Sequence, residues 1–249
     1  MENLKSSLAD MLVGAGIDSD GIEINPIYGG GNNRVVSVQT KAGKYLAKTY
    51  YSHPSDTRNR LAAEYAFLSY ALNIGLDCVP KPIFCDQKNN IGLYEFVEGR
   101  KLRNSELTQQ HIMEAASFIK GLNDRQDRDQ TLPTASEGCF SIERHFSIID
   151  ERLNRLRHLP VESELDRKVI SFVKEIENAW KSIKDEISSG DGSISKELNA
   201  KDRCISPSDF GFHNALLKNS GEVCFIDFEY AGWDDPAKMV GDFFLQPAV

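Results

Sequence analysis

Residues 204–233 read C-I-S-P-S-D-F-G-F-H-N-A-L-L-K-N-S-G-E-V-C-F-I-D-F-E-Y-A-G-W, and the fold of the chain can be interpreted outward from them. Two short apolar runs in this stretch, A-L-L and V-C-F-I, flank the turn sequence K-N-S-G. Apolar runs separated by a short connection rich in Asn, Ser and Gly are typical of a β-hairpin. Asp209 and Asn214 precede this hairpin and Asp227 follows it. The pattern therefore predicts that two acids and an amide meet at one end of the hairpin.

Such a grouping suits phosphoryl transfer. That reaction needs a carboxylate to orient the attacking hydroxyl and accept its proton, and it needs oxygen ligands that hold Mg²⁺ against the nucleotide phosphates. Magnesium prefers hard oxygen ligands and few protein groups, which fits one Asp and one Asn. The spacing D-x-x-x-x-N, followed later by D-F-E, is similar to the catalytic loop and D-F-G of kinases. A D-x-x-x-x-N alone is also common in ordinary loops with Asx turns. The segment that follows it is therefore needed to distinguish a catalytic loop from an ordinary one.

That segment, I-D-F-E-Y-A-G-W-D-D-P with G-D beyond it, resembles the aminoglycoside phosphotransferase family, the kinase-like enzymes that include choline and homoserine kinases. The resemblance implies an α+β, two-lobe protein-kinase-like fold, with a small antiparallel β lobe over residues 1–99 and a larger, mostly helical lobe over 100–249. It also implies ATP and Mg²⁺ as cofactors. Asp209 would then be the catalytic base, and Asn214 and Asp227 would hold the metal.

The first lobe is predicted to carry three strands and a glycine-rich turn. The turn reads G-G-G-N-N-R, and glycines let backbone amides approach a phosphate closely because they lack a Cβ. The motif is similar to the family's looser G-G-x-x-N-x-x-x-x-V, which implies that Gly30, Gly31 and Asn32 contact the nucleotide. A plain tight hairpin turn is the alternative for these residues.

Lys48 ends the third predicted strand, and the resemblance implies that it bridges the nucleotide phosphates. Its partner should be a glutamate on the next helix. The apolar positions 61, 65, 68 and 72 predict a helix over residues 55–72, and Glu64 lies beside that stripe. Because acids are rarely buried unpaired, we expect Glu64 to face Lys48.

The segment L-Y-E-F-V-E-G at residues 93–99 resembles the family's interlobe hinge. The resemblance implies that backbone groups of Glu95 and Val97 pair with the adenine edge. An ordinary edge strand that ends at Gly99 is the alternative.

The second lobe is predicted to contain helices over residues 108–123, 141–158 and 163–187. Ser163 and Asp166 form a capping-box pattern at the start of the third helix. The apolar residues between Leu165 and Trp180 predict a buried stripe along it.

The acids Glu229, Asp234 and Asp235 follow the predicted metal-binding strand, so we expect them to line the acceptor side. An acidic rim would suit a cationic or polyhydroxyl acceptor. Sugars, amino alcohols and aminoglycosides are all compatible with the sequence as the small-molecule hydroxyl acceptor.

Two departures from the family pattern stand out. The family has His-Gly-Asp at the catalytic aspartate, whereas this chain has Pro207-Ser208-Asp209. The histidine supports the loop backbone, so another support is needed here, and Pro207 with its fixed φ is one candidate. The family also commonly continues with further helices, so we expect this sequence to hold only part of the acceptor-binding lobe.

The composition narrows the classes of protein further. The net charge of −8 argues against a nucleic-acid-binding surface. The five cysteines include no C-x-x-C pair, which disfavours a zinc site, and the absence of a secretory signal pattern favours a cytoplasmic location. No apolar run is long enough to predict a membrane span. The oligomeric state stays open.

The reading that follows is an ATP-dependent phosphotransferase acting on a small-molecule hydroxyl. A nucleotide-binding pseudokinase with a regulatory or scaffold role is the alternative, favoured by the altered Pro-Ser-Asp motif. A protein kinase is disfavoured because the sequence has no A-P-E motif and little room for an activation loop after Asp227.

Overall fold

The computed structural model describes residues 2–28, 33–53, 56, 58–124, 131–190 and 192–246. The chain divides into two compact units, one of residues 1–136 and 204–249 and the other of residues 137–203. The predicted lobe boundary at residues 99 and 100 falls inside the first unit and stays a prediction.

The first unit contains helices and strands, with its strands in runs of three or four between the helices. Its helices are α1 (Glu2–Gly14), α2 (Arg60–Asn73), α3 (Gln109–Asn123) and, at the end of the chain, α6 (Pro236–Phe244). Its strands are β1 (Glu23–Ile27), β2 (Arg34–Gln39), β3 (Lys44–Thr49), β4 (Pro82–Asp86), β5 (Ile91–Glu95), β6 (Gly99–Lys101), β7 (Cys204–Ser206), β8 (Ala215–Lys218), β9 (Val223–Phe225) and β10 (Gly232–Asp234).

Within the described residues, β1 to β5 form one antiparallel sheet in the order β1-β2-β3-β5-β4. Alternate strand residues such as Val36, Val38 and Leu93 point to one face and are buried. Leu8 and Leu12 of α1 are fully buried in the same cluster. The predicted small antiparallel β sheet is therefore confirmed, and α1 packs against it.

Helix α2 begins at Arg60, five residues later than predicted. Asn59 caps it, because its side chain accepts a hydrogen bond from the Ala62 N–H at 3.0 Å. Its buried face differs from the predicted stripe: Glu64 and Phe67 are buried, whereas Tyr65 is only half-buried. The buried face of α2 therefore includes a charged residue beside Leu61 and Leu68 of the predicted stripe.

The predicted hairpin is present as β8 and β9, which pair antiparallel from Ala215 opposite Phe225 to Leu217 opposite Val223. Strand β6 pairs with β8 on the other side, and β10 pairs with β7 in a separate two-stranded sheet. Helix α3 buries Ala115, Phe118 and Leu122 in the core that these strands share.

The second unit contains α4 (Ile142–Arg157) and α5 (Glu164–Ser188). The capping box of Ser163 and Asp166 is confirmed. The predicted buried stripe on α5 is wrong for Leu165 and Phe172, which are 69% and 60% exposed. The ring of Trp180 packs edge-on against that of Phe146 on α4, with 5.3 Å between the ring centroids. Within this unit α5 packs against α4, and the apolar residues of α5 that lie outside this contact stay exposed.

Among the residues that the structure describes, no helix combines the length and the apolar character that crossing a membrane requires.

Candidate active site

Lys48 on β3 and Glu64 on α2 form a buried ion pair, with 2.8 Å between Nζ and Oε2. The Tyr50 hydroxyl donates to the same carboxylate oxygen at 2.7 Å. Tyr50 also shares a hydrogen bond of 2.6 Å with the Tyr94 hydroxyl on β5. The predicted pairing is therefore present, and the buried Tyr50, itself hydrogen-bonded to Tyr94, donates to the same Glu64 oxygen as the lysine.

Lys48 also contacts two acidic residues that follow β9 in the chain. Its Nζ contacts Asp227 Oδ1 directly and lies 3.5 Å from Glu229 Oε2. Burial by itself would lower the pKa of Lys48, but the carboxylates of Glu64, Asp227 and Glu229 outweigh it and hold that pKa above its usual value. Burial raises the pKa of Glu64, and the Lys48 ammonium opposes that shift. The lysine therefore stays cationic in the cleft.

Asp209 and Asn214 lie together on the loop between β7 and β8. The Asn214 amide donates to the Asp209 backbone carbonyl at 3.0 Å and to Oδ2 of its side chain at 3.3 Å. The Ile226 N–H donates to the Asn214 carbonyl at 2.9 Å, which places Asp227 next to this loop. The side chains of Asp209 and Asp227 are each 42% exposed. The two acids and the amide thus converge with open access to solvent.

Two non-glycine residues of this site have left-handed backbones. Asp227 has φ of 71° and Ser208 has φ of 65°. Such values are uncommon outside glycine and concentrate at functional sites, where surrounding structure enforces them. Ser208 stands at the position of the glycine in the His-Gly-Asp pattern. Its N–H donates to the buried Ser206 hydroxyl at 3.0 Å, which supports the loop where the family histidine is missing.

An aromatic cluster lies beneath the site and fixes its backbone. The ring centroids of Phe67 and Phe228 are 4.6 Å apart. The ring centroid of Phe225 lies 5.2 Å from that of Phe118 and 4.9 Å from that of Phe210. Since Phe225 and Phe228 flank Asp227 in the chain, this packing restrains the acid from both sides.

Glu229 was predicted to line the acceptor side, and this prediction is wrong because the residue is 4% exposed. Arg60 Nη1 donates to its Oε1 at 2.8 Å, and the Asn33 amide donates to its Oε2. Neither Arg60 nor Asn33 was expected at the site. Arg60 precedes Glu64 by one helical turn, so the two side chains lie on the same face of α2. This spacing could have predicted that Arg60 lies near the site.

The prediction for Asp234 is wrong as well, because its side chain is fully buried and lies 3.2 Å from Lys238 Nζ. Asp235 caps α6 by accepting from the Ala237 N–H at 2.7 Å. Asp234 is therefore held inside beside α6, whereas Asp235 is half-buried and its place on the acceptor side stays a prediction.

The remaining predicted nucleotide contacts keep the status of predictions. Gly30, Gly31 and Asn32 lie outside the described residues. Glu95 ends β5, and its N–H donates to the Lys81 carbonyl at 2.9 Å. Val97 is half-buried between β5 and β6.

The residues present fit a magnesium ion. Carboxylate oxygens of Glu64, Asp227 and Glu229 lie within 4.8 Å of one another. Glu64 forms an ion pair with Lys48, and Glu229 forms one with Arg60. Asp227 also contacts Lys48, but its side chain is 42% exposed, so it is the acid of this group that a cation can reach from solvent. Asn214 uses its amide nitrogen on Asp209, which leaves its amide oxygen for a cation. Hard oxygen donors of this kind are the ligands that magnesium prefers.

A kinase-like fold with a lysine–glutamate pair facing two acids and an amide defines a small-molecule phosphotransferase. The model of the phosphotransferase enzyme family matches residues 23–240, and the chain belongs to this family.

Solved structures with the same fold include kinases of small molecules. Choline kinase from Cryptosporidium parvum superposes with a TM-score of 0.61 at 17% identity, over 98% of this chain and 68% of that one. The choline kinase LicA from Streptococcus pneumoniae gives 0.60 at 16% identity, over 98% and 74%. The spectinomycin phosphotransferase APH(9)-Ia, solved with ADP and spectinomycin, gives 0.62 at 16% identity, over 97% and 76%. No curated protein sequence matches the chain.

Proposed function

We propose that this protein transfers the γ-phosphoryl group of ATP to a hydroxyl group of a small molecule. The observation that carries the proposal is the convergence of Lys48, Asp227, Asn214 and Asp209, contributed by β3 and by the two ends of the β8–β9 hairpin. The nucleotide complex of the spectinomycin phosphotransferase, which shares the fold, supports ATP as the phosphoryl donor.

Each residue has a role that its surroundings suit. Asp209, partly exposed, orients the acceptor hydroxyl and takes its proton. Lys48, kept cationic and positioned by Glu64, binds the nucleotide phosphates. Asn214 and Asp227 would hold Mg²⁺, which supplies positive charge to the phosphates when bound. Catalysis then consists of positioning and charge stabilisation with no covalent enzyme intermediate.

The fold relatives include choline kinases and a spectinomycin phosphotransferase, which supports the acceptor classes predicted from the sequence. We infer an amino alcohol, an aminoglycoside-like compound or a sugar. The five free cysteines support a reducing, cytoplasmic location.

The test is a turnover assay with ATP, Mg²⁺ and separate panels of amino alcohols, sugars and aminoglycosides, read as ADP formation and as the mass of the phosphorylated product. We expect acceptor-dependent turnover that Asp209→Asn reduces by a factor of about a thousand or more, since it removes the base and a charge at the site of transfer.

Asp20→Asn is the matched control, because the Asp20 side chain is 84% exposed and lies outside the site. Both variants should still bind ATP. A chain that binds ATP yet turns over no acceptor in any panel would instead be a nucleotide-binding pseudokinase.

A further inference from the structure

The two carboxylate oxygens of Asp209 have different surroundings. Oδ1 lies 3.2 Å from His213 Nε2 and accepts a hydrogen bond from Gln246 Nε2, also at 3.2 Å. Oδ2 accepts from Asn214 Nδ2 at 3.3 Å. A carboxylate offers about four lone-pair sites, two on each oxygen. Two donors therefore fill Oδ1, whereas Oδ2 keeps a site for a further proton donor.

The surroundings of His213 select one tautomer of its ring. Nδ1 is buried and has no hydrogen-bond partner among the described residues. If Nδ1 carried the proton, a buried N–H would be unsatisfied, and the lone pair of Nε2 would face that of Asp209 Oδ1. With the proton on Nε2, the ring donates to Asp209 and only an acceptor nitrogen is left unpaired. The second arrangement is the more stable one.

The loop between β7 and β8 has a glycine where a side chain would collide with His213. A Cβ at Gly211 would lie 2.9 Å from His213 Nδ1 and 3.1 Å from Gln246 Cβ. The absence of a side chain at Gly211 thus lets both donors approach Asp209. The Lys101 ammonium donates to the His213 backbone carbonyl at 2.6 Å and anchors the residue from β6.

We propose that His213, assisted by Gln246, is a positioning residue that holds the Asp209 carboxylate so that Oδ2 receives the acceptor proton. The inference rests on the proposed function. In the transfer, the acceptor oxygen forms a bond to the γ-phosphorus, the bond from that phosphorus to the ADP oxygen breaks, and its electron pair leaves with ADP. The hydroxyl proton moves to Asp209 Oδ2, and His213 keeps its Nε2 proton throughout.

The test compares two substitutions of similar size in the full chain. His213→Gln supplies an N–H near the position of Nε2, whereas His213→Met supplies none. We expect His213→Met to lower kcat by about 10- to 100-fold with KM for ATP unchanged, as expected for a misplaced catalytic group. His213→Gln should stay within about threefold of the wild-type kcat, since it restores the donor. A role in folding alone would not separate the two variants in kcat.

Gln246→Met removes the other donor to Oδ1 and should lower kcat in the same direction by a smaller factor. It serves as the second test if His213→Met does not fold, as judged by its circular dichroism spectrum. A Gln246→Met variant with wild-type kcat would then overturn the proposal.

The wild type and Asp209→Asn are assayed together with these variants. Their activities distinguish a failure of the proposed function from a failure of the positioning role of His213. If the wild type phosphorylates no acceptor, or if Asp209→Asn is as active as the wild type, the proposed function fails and this inference fails with it. If Asp209→Asn is inactive while His213→Met keeps the wild-type kcat, or if His213→Gln is as impaired as His213→Met, the positioning role alone is overturned.

Discussion

Arg60 and Glu229 form a buried ion pair, with 2.8 Å between Nη1 of the arginine and Oε1 of the glutamate. The same carboxylate accepts from the Asn33 amide and lies 3.5 Å from Lys48 Nζ. One acid therefore connects the start of α2, the strand that carries Lys48 and the residue that precedes β2. Its position two residues after Asp227 ties this network to the candidate metal site.

Replacing Glu229 should destabilise the protein. Glu229→Gln removes the charge that faces two buried cations, and we expect a loss of about 3 kcal/mol in the free energy of unfolding, as for other broken buried ion pairs. Urea denaturation measures it. Glu98→Gln is the control, since Glu98 is 70% exposed and pairs with Lys44 at 3.5 Å. The control should change stability by less than about 1 kcal/mol. Equal effects of the two substitutions would show that the buried network contributes little.

Removing Lys48 should make stability depend on pH. Lys48→Met leaves Glu64, Asp227 and Glu229 without their shared cation, and we expect a loss of about 3–5 kcal/mol at pH 7. The loss should shrink at pH 5. Burial raises the pKa of Glu64 in the folded state, and without Lys48 the positive charge that opposes that rise is gone, which leaves the Tyr50 hydrogen bond as a weaker opposing effect. The folded state then binds a proton more tightly than the unfolded state, so stability falls as the pH increases from 5 to 7.

Urea denaturation at both pH values checks this prediction, with Glu64→Gln as the comparison. The amide has no proton to bind in this range, so its effect on stability should be nearly the same at the two values. A pH-independent loss in Lys48→Met would contradict the assignment of Glu64 as the group that responds.

Substitutions at the two candidate metal ligands should raise the magnesium requirement. Asp227→Asn keeps a residue that tolerates the observed φ of 71°, so the backbone is preserved while a charged ligand is lost. We expect at least about a tenfold increase in the Mg²⁺ concentration for half-maximal turnover, and a similar shift for Asn214→Ala. Magnesium titrations of ADP formation measure the shift. An unchanged titration curve in Asp227→Asn would place the metal elsewhere.

The thiols of Cys78 and Cys224 should react slowly in the folded protein. Burial raises the pKa of Cys78 to about 11 and that of Cys224 to about 12. Because the thiolate is the reactive form, alkylation by iodoacetamide at pH 8 should be slow at both residues and become fast in urea. Peptide mass spectrometry distinguishes the five cysteines. Rapid labelling of Cys224 in the native state would contradict its burial.

The same two pKa shifts predict a loss of stability in alkaline solution. The unfolded thiols lose their protons near pH 9, whereas the folded ones hold them until about pH 11 to 12. The folded state then binds more protons, so stability decreases as the pH rises above 9. Replacing both residues with alanine should reduce this decrease in urea denaturation series.

The local patterns of the sequence were sufficient for the hairpin, because apolar runs around a turn follow a short-range rule. The pair of Lys48 and Glu64 was predicted from the family resemblance, and the position of Glu64 within an apolar helical run agreed with it. The convergence of Asp209, Asn214 and Asp227 could be predicted too, because a hairpin brings its own ends together.

Contacts between residues far apart in the chain were beyond such rules. Glu229 was predicted as an acid of the acceptor side, yet Arg60, which lies 169 positions away in the chain, makes its burial possible. The extent of α5 that stays exposed was also missed, because apolar periodicity marks a face without saying what covers it. His213 gave no signal, since four residues from an aspartate is an ordinary spacing in a loop.

The sequence by itself determined the hairpin and which residue types meet at its ends, because these follow from turn chemistry and spacing along the chain. It also carried the family motifs, and the resemblance to that family gave the fold class. The tertiary structure decided which acids are buried, which cations match them and which oxygen of Asp209 is left open. Those outcomes depend on desolvation and on donors supplied by distant segments, and neither is written in any one stretch of sequence.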